Sequence, residues 1–253
     1  MFKGFYNLTS GMLTHGRHLD VISNNMANVA TAGFKADTFT ATTFEDVLWS
    51  RVGNKEKTYI DLGNQSYITV PSQNYTDYST GSYDDTGEPL DFAIEGNETC
   101  YFAFNTQDGE RVYSRAGQFT IDDGGYLHLP GVGRVLDGAG NEIYLLTDKV
   151  HGDYFGGIYD DNSNFLGRIG VYRFPEDNQP IKNREALFVA NGAEPESVQD
   201  VRVINGLVER SNIDLVKQMV GMISEQRAYQ SAAQVTKMYD SVMTKATNEI
   251  GRM

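Results

Sequence analysis

The chain has 253 residues, 40% of them hydrophobic, which is enough to bury the core of one or two globular domains. Its formal net charge is −13 and its basic residues do not cluster, which excludes proteins that bind a nucleic-acid backbone. No apolar run could span a bilayer or act as a cleaved secretory signal, so we expect neither membrane insertion nor signal processing. Cys100 is the only cysteine; we expect a small buried hydrophobe and no intramolecular disulfide.

The first thirty or so residues are predicted to form an amphipathic helix. Apolar side chains recur at alternating spacings of three and four residues, which is the heptad pattern of a helix that packs along one face. The apolar positions of this stripe are Phe5, Leu8, Met12, Leu19, Ile22, Met26 and Val29. His15 fills the one gap, so we expect its side chain to be packed rather than to bind a metal.

A second helix is predicted near the end of the chain. Ser211 and Asp214 have the spacing of a capping box, which predicts that the helix starts there. The apolar residues that follow lie first on one stripe and then on a neighbouring one, so more than one partner could pack against this helix. The first stripe consists of Ile213, Val216, Val220 and Ile223.

Between the helices the hydrophobic period becomes that of strands. Residues 101–104 and 111–115 flank a turn at Gln107, Asp108 and Gly109, which predicts a β-hairpin. Further short strands are predicted at 119–121, 126–129, 134–136, 142–146, 166–174 and 187–190. Asp122 and Asp123 stand in one of the turns, where we expect them to be exposed to solvent.

These elements predict an α+β fold. Residues 1–36 and 206–253 would form a terminal helical assembly domain in which the two helices pair as a coiled-coil unit. Residues 37–80 are rich in Thr, Tyr, Asn and Ser, and we interpret them as an extended linker with one edge strand. Residues 81–205 would form a mainly antiparallel β-rich domain.

Periodicity alone does not identify the partner of the two helices. Ordering a helix of about 25 residues costs on the order of 25 to 50 kcal/mol of backbone entropy, which burial against a single helix only partly offsets. Packing against other subunits would order the two ends further. We therefore expect the ends to be loose in a monomer. The other interpretation is a helical hairpin that packs on the β-rich domain of the same chain.

Three segments resemble those of bacterial flagellar rod and hook proteins. The first is NNMANVATAGFK, where Asn24, Asn25, Ala27, Asn28, Thr31, Gly33, Phe34 and Lys35 match the family signature. The second combines PLDFAIEG at 89–96 with YSRAGQFTIDDGGYL at 113–127, and the third is GLVERSNIDLVKQMVGMISEQRAYQ at 206–230. Their order along the chain also agrees. The segments 97–102 and 151–164 depart from the family pattern.

The resemblance implies a structural subunit of the flagellar basal-body rod, of proximal or distal type, and not an enzyme. Its terminal helices would build a torque-transmitting axial shaft with copies of itself and with other rod or hook subunits. The flagellar type III export apparatus would deliver it across the cytoplasmic membrane without a cleaved signal peptide. The alternatives are a short hook-type axial subunit, or an extracellular binding module on the β-rich domain.

We expect the functional residues to be assembly contacts. They are Leu8, Met12, Leu19, Ile22 and Met26 on the first helix, Asn28, Thr31 and Gly33 in the turn after it, and Val216, Val220, Ile223 and Tyr229 on the second helix. The sequence offers no catalytic, cofactor-binding or metal-binding set. Asp160, Asn162 and Asn164 begin like a calcium loop, but Phe165 stands where that loop needs glycine, so we predict a polar turn.

Overall fold

The computed structural model describes residues 2–43, 47–52, 59–65, 69–145, 147–184, 186–192 and 194–250. These residues contain two helices and twenty strands. The chain divides into two compact units, which we call the helical unit and the β-rich unit. The helical unit comprises residues 1–26, 37–75 and 215–253, and the β-rich unit comprises residues 27–36 and 76–214.

The helical unit contains both helices and two pairs of strands. The helices are α1 (Phe2–Ala27) and α2 (Leu215–Ile250). The strands are β1 (Asp37–Thr43), β2 (Val47–Val52), β3 (Tyr59–Gln65) and β4 (Thr69–Thr76), with β1 paired to β4 and β2 to β3. Our expectation of a single edge strand in this region is therefore wrong. Its Thr and Tyr residues favour strands. Cross-strand pairs can also stabilise a two-stranded ribbon whose sequence shows little alternation of apolar and polar residues.

The β-rich unit holds the other sixteen strands. They are β5 (Tyr83–Asp85), β6 (Phe92–Ile94), β7 (Cys100–Thr106), β8 (Arg111–Ser114), β9 (Thr120–Ile121), β10 (Leu127–Leu129), β11 (Gly133–Val135), β12 (Val150–Gly152), β13 (Gly157–Asp160), β14 (Phe165–Arg168), β15 (Val171–Arg173), β16 (Ile181–Arg184), β17 (Leu187–Val189), β18 (Glu196–Val198), β19 (Val203–Asn205) and β20 (Leu207–Glu209). The largest sheet has nine strands in the order β16-β17-β8-β7-β11-β10-β9, with β15 pairing to β7 and β18 to β15. The described strand pairs are antiparallel, as predicted.

Strand β7 runs through the centre of this unit. Its first five residues are buried on both faces of the sheet, which explains the continuous apolar run Cys100–Phe104 in place of an alternating one. Phe102 and Phe104 both pack edge to face on Phe119 in the main core. Cys100 is fully buried, and burial raises the pKa of its thiol. The prediction that Cys100 is buried is therefore confirmed.

Two predicted hairpins are present and two predicted strands differ. β7 pairs with β8 around Gly109, whose φ of 79° fits the expected turn, and β9 pairs with β10. The strand predicted at 166–174 is divided into β14 and β15. It breaks at Gly170, where a Cβ atom would lie 2.5 Å from the backbone of Asp137. Within the strand predicted at 142–146, the described residues form only isolated bridges, and Leu146 lies outside the described residues.

Asp122 is not simply exposed as predicted, because Arg134 on β11 binds it. Arg134 Nε donates to Asp122 Oδ2 at 2.9 Å, and Nη1 donates to Glu142 Oε2 at 2.8 Å. The backbone N–H of Tyr126 and this guanidinium lower the pKa of Asp122. Hydrogen bonds from Asn105 and Arg134 lower the pKa of Glu142. One arginine therefore joins the β9–β10 turn to the segment after β11.

The stability of the β-rich unit is expected to fall in acid through these two carboxylates. Because their pKa values are lower in the folded state, their contribution is complete above about pH 5 and is lost as the pH falls through the folded pKa values. Melting temperature measured from pH 6 to pH 2.5 should decline below about pH 4. In Arg134→Met the decline should be shallower. An equally steep decline in that variant would show that other carboxylates dominate.

Candidate assembly site

The helices α1 and α2 lie antiparallel in the helical unit. Thr236 Oγ1 lies 3.6 Å from Met12 Sδ, and the ring of Tyr229 lies beside Gly16. Further along α1, a Cβ atom at Gly221 would lie 3.6 Å from Ile22 Cδ1. As the residue number rises along α1, the residue number of its partner on α2 falls, which shows that the helices are antiparallel.

His15 is held at this helix pair by an acidic residue and not by apolar packing. Its Nδ1 lies 2.7 Å from Glu225 Oε2, and His18 Nδ1 lies 3.2 Å from the other oxygen of the same carboxylate. All three side chains are partly exposed. His15 therefore lies at the contact between the two helices, as predicted, but its partner on α2 is a carboxylate and not an apolar side chain.

The predicted α1 residues are covered to different degrees. Ile22 is buried, whereas Leu8, Met12, Leu19 and Met26 are half-buried. The end of α1 is fastened to the start of β1, since Asn25 Nδ2 donates to the carbonyl of Asp37 at 2.8 Å and its Oδ1 accepts from that residue's N–H at 3.0 Å. The apolar stripe of α1 is thus only partly covered within one chain.

The predicted α2 residues lie on the surface. The exposed fractions are 71% for Val216, 64% for Val220, 50% for Ile223 and 38% for Tyr229. The first two turns of α2 thus carry an exposed face, which we call the α2 apolar strip, made of Leu215, Val216, Met219, Val220 and Ile223. The opposite face carries small or partly covered residues such as Gly221, Ala228 and Ala232. Five neighbouring large apolar side chains on one exposed helix face are typical of an interaction surface.

The helix does not start at the predicted capping box. α2 begins at Leu215, four residues after Ser211, and Ser211 is buried in the β-rich unit. The side chain of Asn212 occupies this segment instead: its Oδ1 accepts from the N–H of Ala36 at 2.8 Å, and its Nδ2 donates to the carbonyl of Asp77 at 2.9 Å. These contacts keep residues 211–213 out of the helix.

The predicted residues Asn28, Thr31 and Gly33 form the turn after α1, where each makes contacts within the chain. Asn28 is buried, and Thr31 donates to it from both its hydroxyl and its backbone N–H, at 3.2 Å each. Gly33 has a φ of 66°, and a Cβ atom there would lie 2.3 Å from the backbone nitrogen of Ala116. Only glycine fits this position. Its N–H donates to the carbonyl of Glu209 at 2.9 Å.

A buried group of charged and polar side chains joins this turn to the end of β20. Lys35 Nζ lies 2.7 Å from Glu209 Oε1, and Arg115 Nε lies 3.1 Å from Glu209 Oε2. Together with Asn212 we call these residues the junction clamp. Sequence reasoning missed all four. The available signal was that each lies in one of the family-like segments, and that Lys35 and Arg115 stand between apolar or small residues.

The clamp contains two cations and one carboxylate, with side chains at most 1% exposed. Burial lowers the pKa of the Lys35 ammonium, and Glu209 opposes this shift. Lys35 also donates to the carbonyl of Ser79 at 2.7 Å, and Gly81 N–H donates to Glu209 Oε1 at 3.2 Å. Among the described residues, the ion pair between Arg115 Nε and Glu209 Oε2 lacks hydrogen-bond geometry, and Arg115 Nη1 has no hydrogen-bond acceptor. Glu209 is the residue that contacts both cations and the N–H of Gly81, so it lies at the centre of the group.

Comparison with known proteins places both helices in one family. A model of the flagella basal body rod protein matches residues 5–35, and a model of the flagellar basal body rod FlgEFG protein C-terminal region matches residues 204–249. The flagellar basal-body rod protein FlgF of Mesorhizobium japonicum is 31% identical over 99% of this chain and 99% of its own length. The chain belongs to the flagellar basal-body rod protein family. The predicted resemblance is confirmed.

Other rod proteins agree over the whole length. FlgG of Bacillus subtilis is 30% identical, covering 98% of this chain and 99% of its own, and FlgF of Caulobacter vibrioides is 28% identical over the full length of both. This rod protein is a structural subunit of the flagellar basal body. The two matched regions contain most of α1, most of α2, and three residues of the junction clamp, Lys35, Glu209 and Asn212. In the described part of the chain, neither helix is apolar enough to cross a membrane.

Proposed function

We propose that this rod protein polymerises through its terminal helices into a torque-transmitting axial shaft. Its partners would be copies of itself and other rod or hook subunits, with α1 and α2 forming a coiled-coil layer in the assembly. The observation that carries the proposal is the exposed α2 apolar strip. The half-covered stripe of α1 provides a second surface for neighbours.

The strip is large enough to contribute substantially to assembly. Burying its Leu, Val, Met, Val and Ile side chains would contribute roughly 7 to 15 kcal/mol at full burial, an upper estimate. Association itself costs about 4 to 15 kcal/mol in lost motion. A single contact is thus marginal, and a subunit held by several neighbours is stable. This energetics favours a polymer over an isolated dimer.

The distribution of charge also favours contact through the helices. The β-rich unit contains 25 of the 34 acidic residues and 11 of the 21 basic ones, a net charge of −14. The helical unit has 9 acidic and 10 basic residues, a net charge of +1. Copies of the β-rich unit repel one another, whereas copies of the helical unit do not. Tight packing between subunits is therefore least costly at the helices.

The proposal includes the route by which the subunit reaches the rod. The flagellar type III export apparatus would deliver the chain without a cleaved signal peptide, and the subunit would act outside the cytoplasmic membrane. Membership of the rod family supports this part. The non-enzymatic role has the same support.

Hydrogen exchange before and after polymerisation tests the proposal. In the unassembled protein, amides of α1 and α2 should exchange at least about tenfold faster than those of β7, because the helices are only partly covered. After polymerisation the difference should disappear, first at residues 215–223. Helices as protected as β7 in the monomer, with no change on assembly, would instead indicate a self-contained binding module.

A further inference from the structure

The junction clamp lies where the chain passes between its two units. The chain enters the β-rich unit at residue 27, leaves it after residue 36, returns at residue 76 and leaves again after residue 214. The clamp binds residues 33–36, 77–81 and 209–212 to one another, so each bound segment lies within a few residues of one of the last three passages.

Each of these three passages is held by more than one bond. Asn212 alone bridges all three segments, because it bonds to the N–H of Ala36 and to the carbonyls of Asp77 and Ser79, the last at 3.2 Å. Lys182 adds a bond from outside, donating to the carbonyl of Lys35 at 2.8 Å while its Nζ stands 3.7 Å from the ring centroid of Phe34. The three segments are thus joined to one another at several points.

Stability alone does not account for a clamp made of charges. A buried group of ions is often no more stable than well-packed apolar residues of the same volume, because each ion loses its hydration. What charges and amides provide is a requirement for polar partners at short distance, through which a buried network can specify one arrangement of its neighbours. A clamp of this chemistry fixes the register of three segments.

We propose that Lys35, Arg115, Glu209 and Asn212 are positioning residues that hold in fixed register three of the four chain segments that connect the β-rich unit to the helical unit. The clamp keeps a load carried along these segments from pulling them out of the β-rich unit. This role rests on the proposed function, since a load arises only in a shaft that transmits torque.

Asn212→Ala tests the clamp without removing a buried charge. Amides at 77–81 and 209–213 should exchange about tenfold faster, which is the loss expected when one set of hydrogen bonds opens, while amides of β7 stay unchanged. The matched control is Asn178→Ala, which also removes a side-chain bond to a backbone carbonyl, that of Asn191 at 3.1 Å, but lies away from the clamp. Cells with only the Asn212→Ala protein should swim more slowly as viscosity rises.

Three results would overturn the proposal. Unchanged exchange at 77–81 and 209–213 would show that the clamp does not hold these segments. Equal acceleration there and in β7 would show a general contribution to stability. Local acceleration with normal swimming at every viscosity would show that register is irrelevant to load. Exchange is measured on the unassembled protein, so it stands even if polymerisation uses a different surface.

A charge-free clamp provides a second test. In Lys35→Met, Arg115→Met, Glu209→Met the ions are replaced together by apolar side chains of similar length, so the melting temperature should be retained. Exchange at the three segments should still accelerate. A variant that keeps both wild-type exchange and normal swimming would overturn the proposal, and an unfolded variant would contradict the argument that the charges are not required for stability.

Discussion

Glu209→Gln is expected to unfold the β-rich unit or bring it close to unfolding. The change keeps the size of the side chain but leaves the Lys35 ammonium and the Arg115 guanidinium buried without a counter-charge. Breaking a buried pair in this way costs about 3 to 5 kcal/mol, against a typical stability of about 5 to 15 kcal/mol for a whole domain. Circular dichroism should show a large fall in melting temperature, and exchange in β7 should become rapid.

The pH dependence of this variant separates charge from shape. Burial lowers the pKa of Lys35, so the folded state binds fewer protons than the unfolded state. Stability should therefore rise with pH from the lowered pKa to the unfolded value near about 10.4. Loss of Glu209, which opposes the shift, should strengthen this rise. The control is Glu196→Gln, at an exposed position on β18. Equal stability of the two variants would show that the carboxylate of Glu209 is not needed.

The elements predicted well are those with a local signal. The heptad spacing from Phe5 to Val29 predicted α1, and Gly109 between two apolar runs predicted the β7–β8 hairpin. In both cases, the residues that determine the structure are close to one another in the sequence. The family resemblance added what periodicity could not, because the same stripe would suit a helix packed within a single chain.

The junction clamp could not be predicted because it depends on distant parts of the chain. Lys35 and Glu209 are separated by 174 positions, and nothing in their neighbourhoods shows that they meet. The clamp residue Asn212 also accounts for the error in the predicted start of α2. The Ser211 spacing favours a cap, yet the bonds of Asn212 hold this segment in the β-rich unit. Tertiary contacts outweighed a local preference.

The helix stripes show a different limit. Periodicity correctly placed Val216, Val220 and Ile223 on one face of α2, but it did not show whether that face is covered within the chain. The structure shows it exposed, while Gly221 and Thr236 on another side of the helix lie beside α1. The larger side chains are therefore left for another partner.

Val220→Asp is expected to abolish polymerisation and to leave the monomer folded. Val220 is 64% exposed in the chain, so a carboxylate at this position stays hydrated in the monomer. In an assembly that covers the α2 apolar strip, the same carboxylate would lose its hydration without a partner, at a cost of several kcal/mol per contact. The concentration needed for polymerisation should therefore rise at least about a hundredfold, as followed by sedimentation and electron microscopy.

Gln234→Asp is the matched control, because it adds the same charge on the same side of α2 but at an exposed polar position beyond the strip. It should raise the polymerisation threshold much less. The melting temperature and the exchange of β7 should be unchanged in both variants, which separates an assembly defect from misfolding. Normal rods and normal motility with Val220→Asp would show that the strip remains exposed in the shaft. Subunit contact would then have to use the half-buried stripe of α1 at Leu8, Met12 and Leu19.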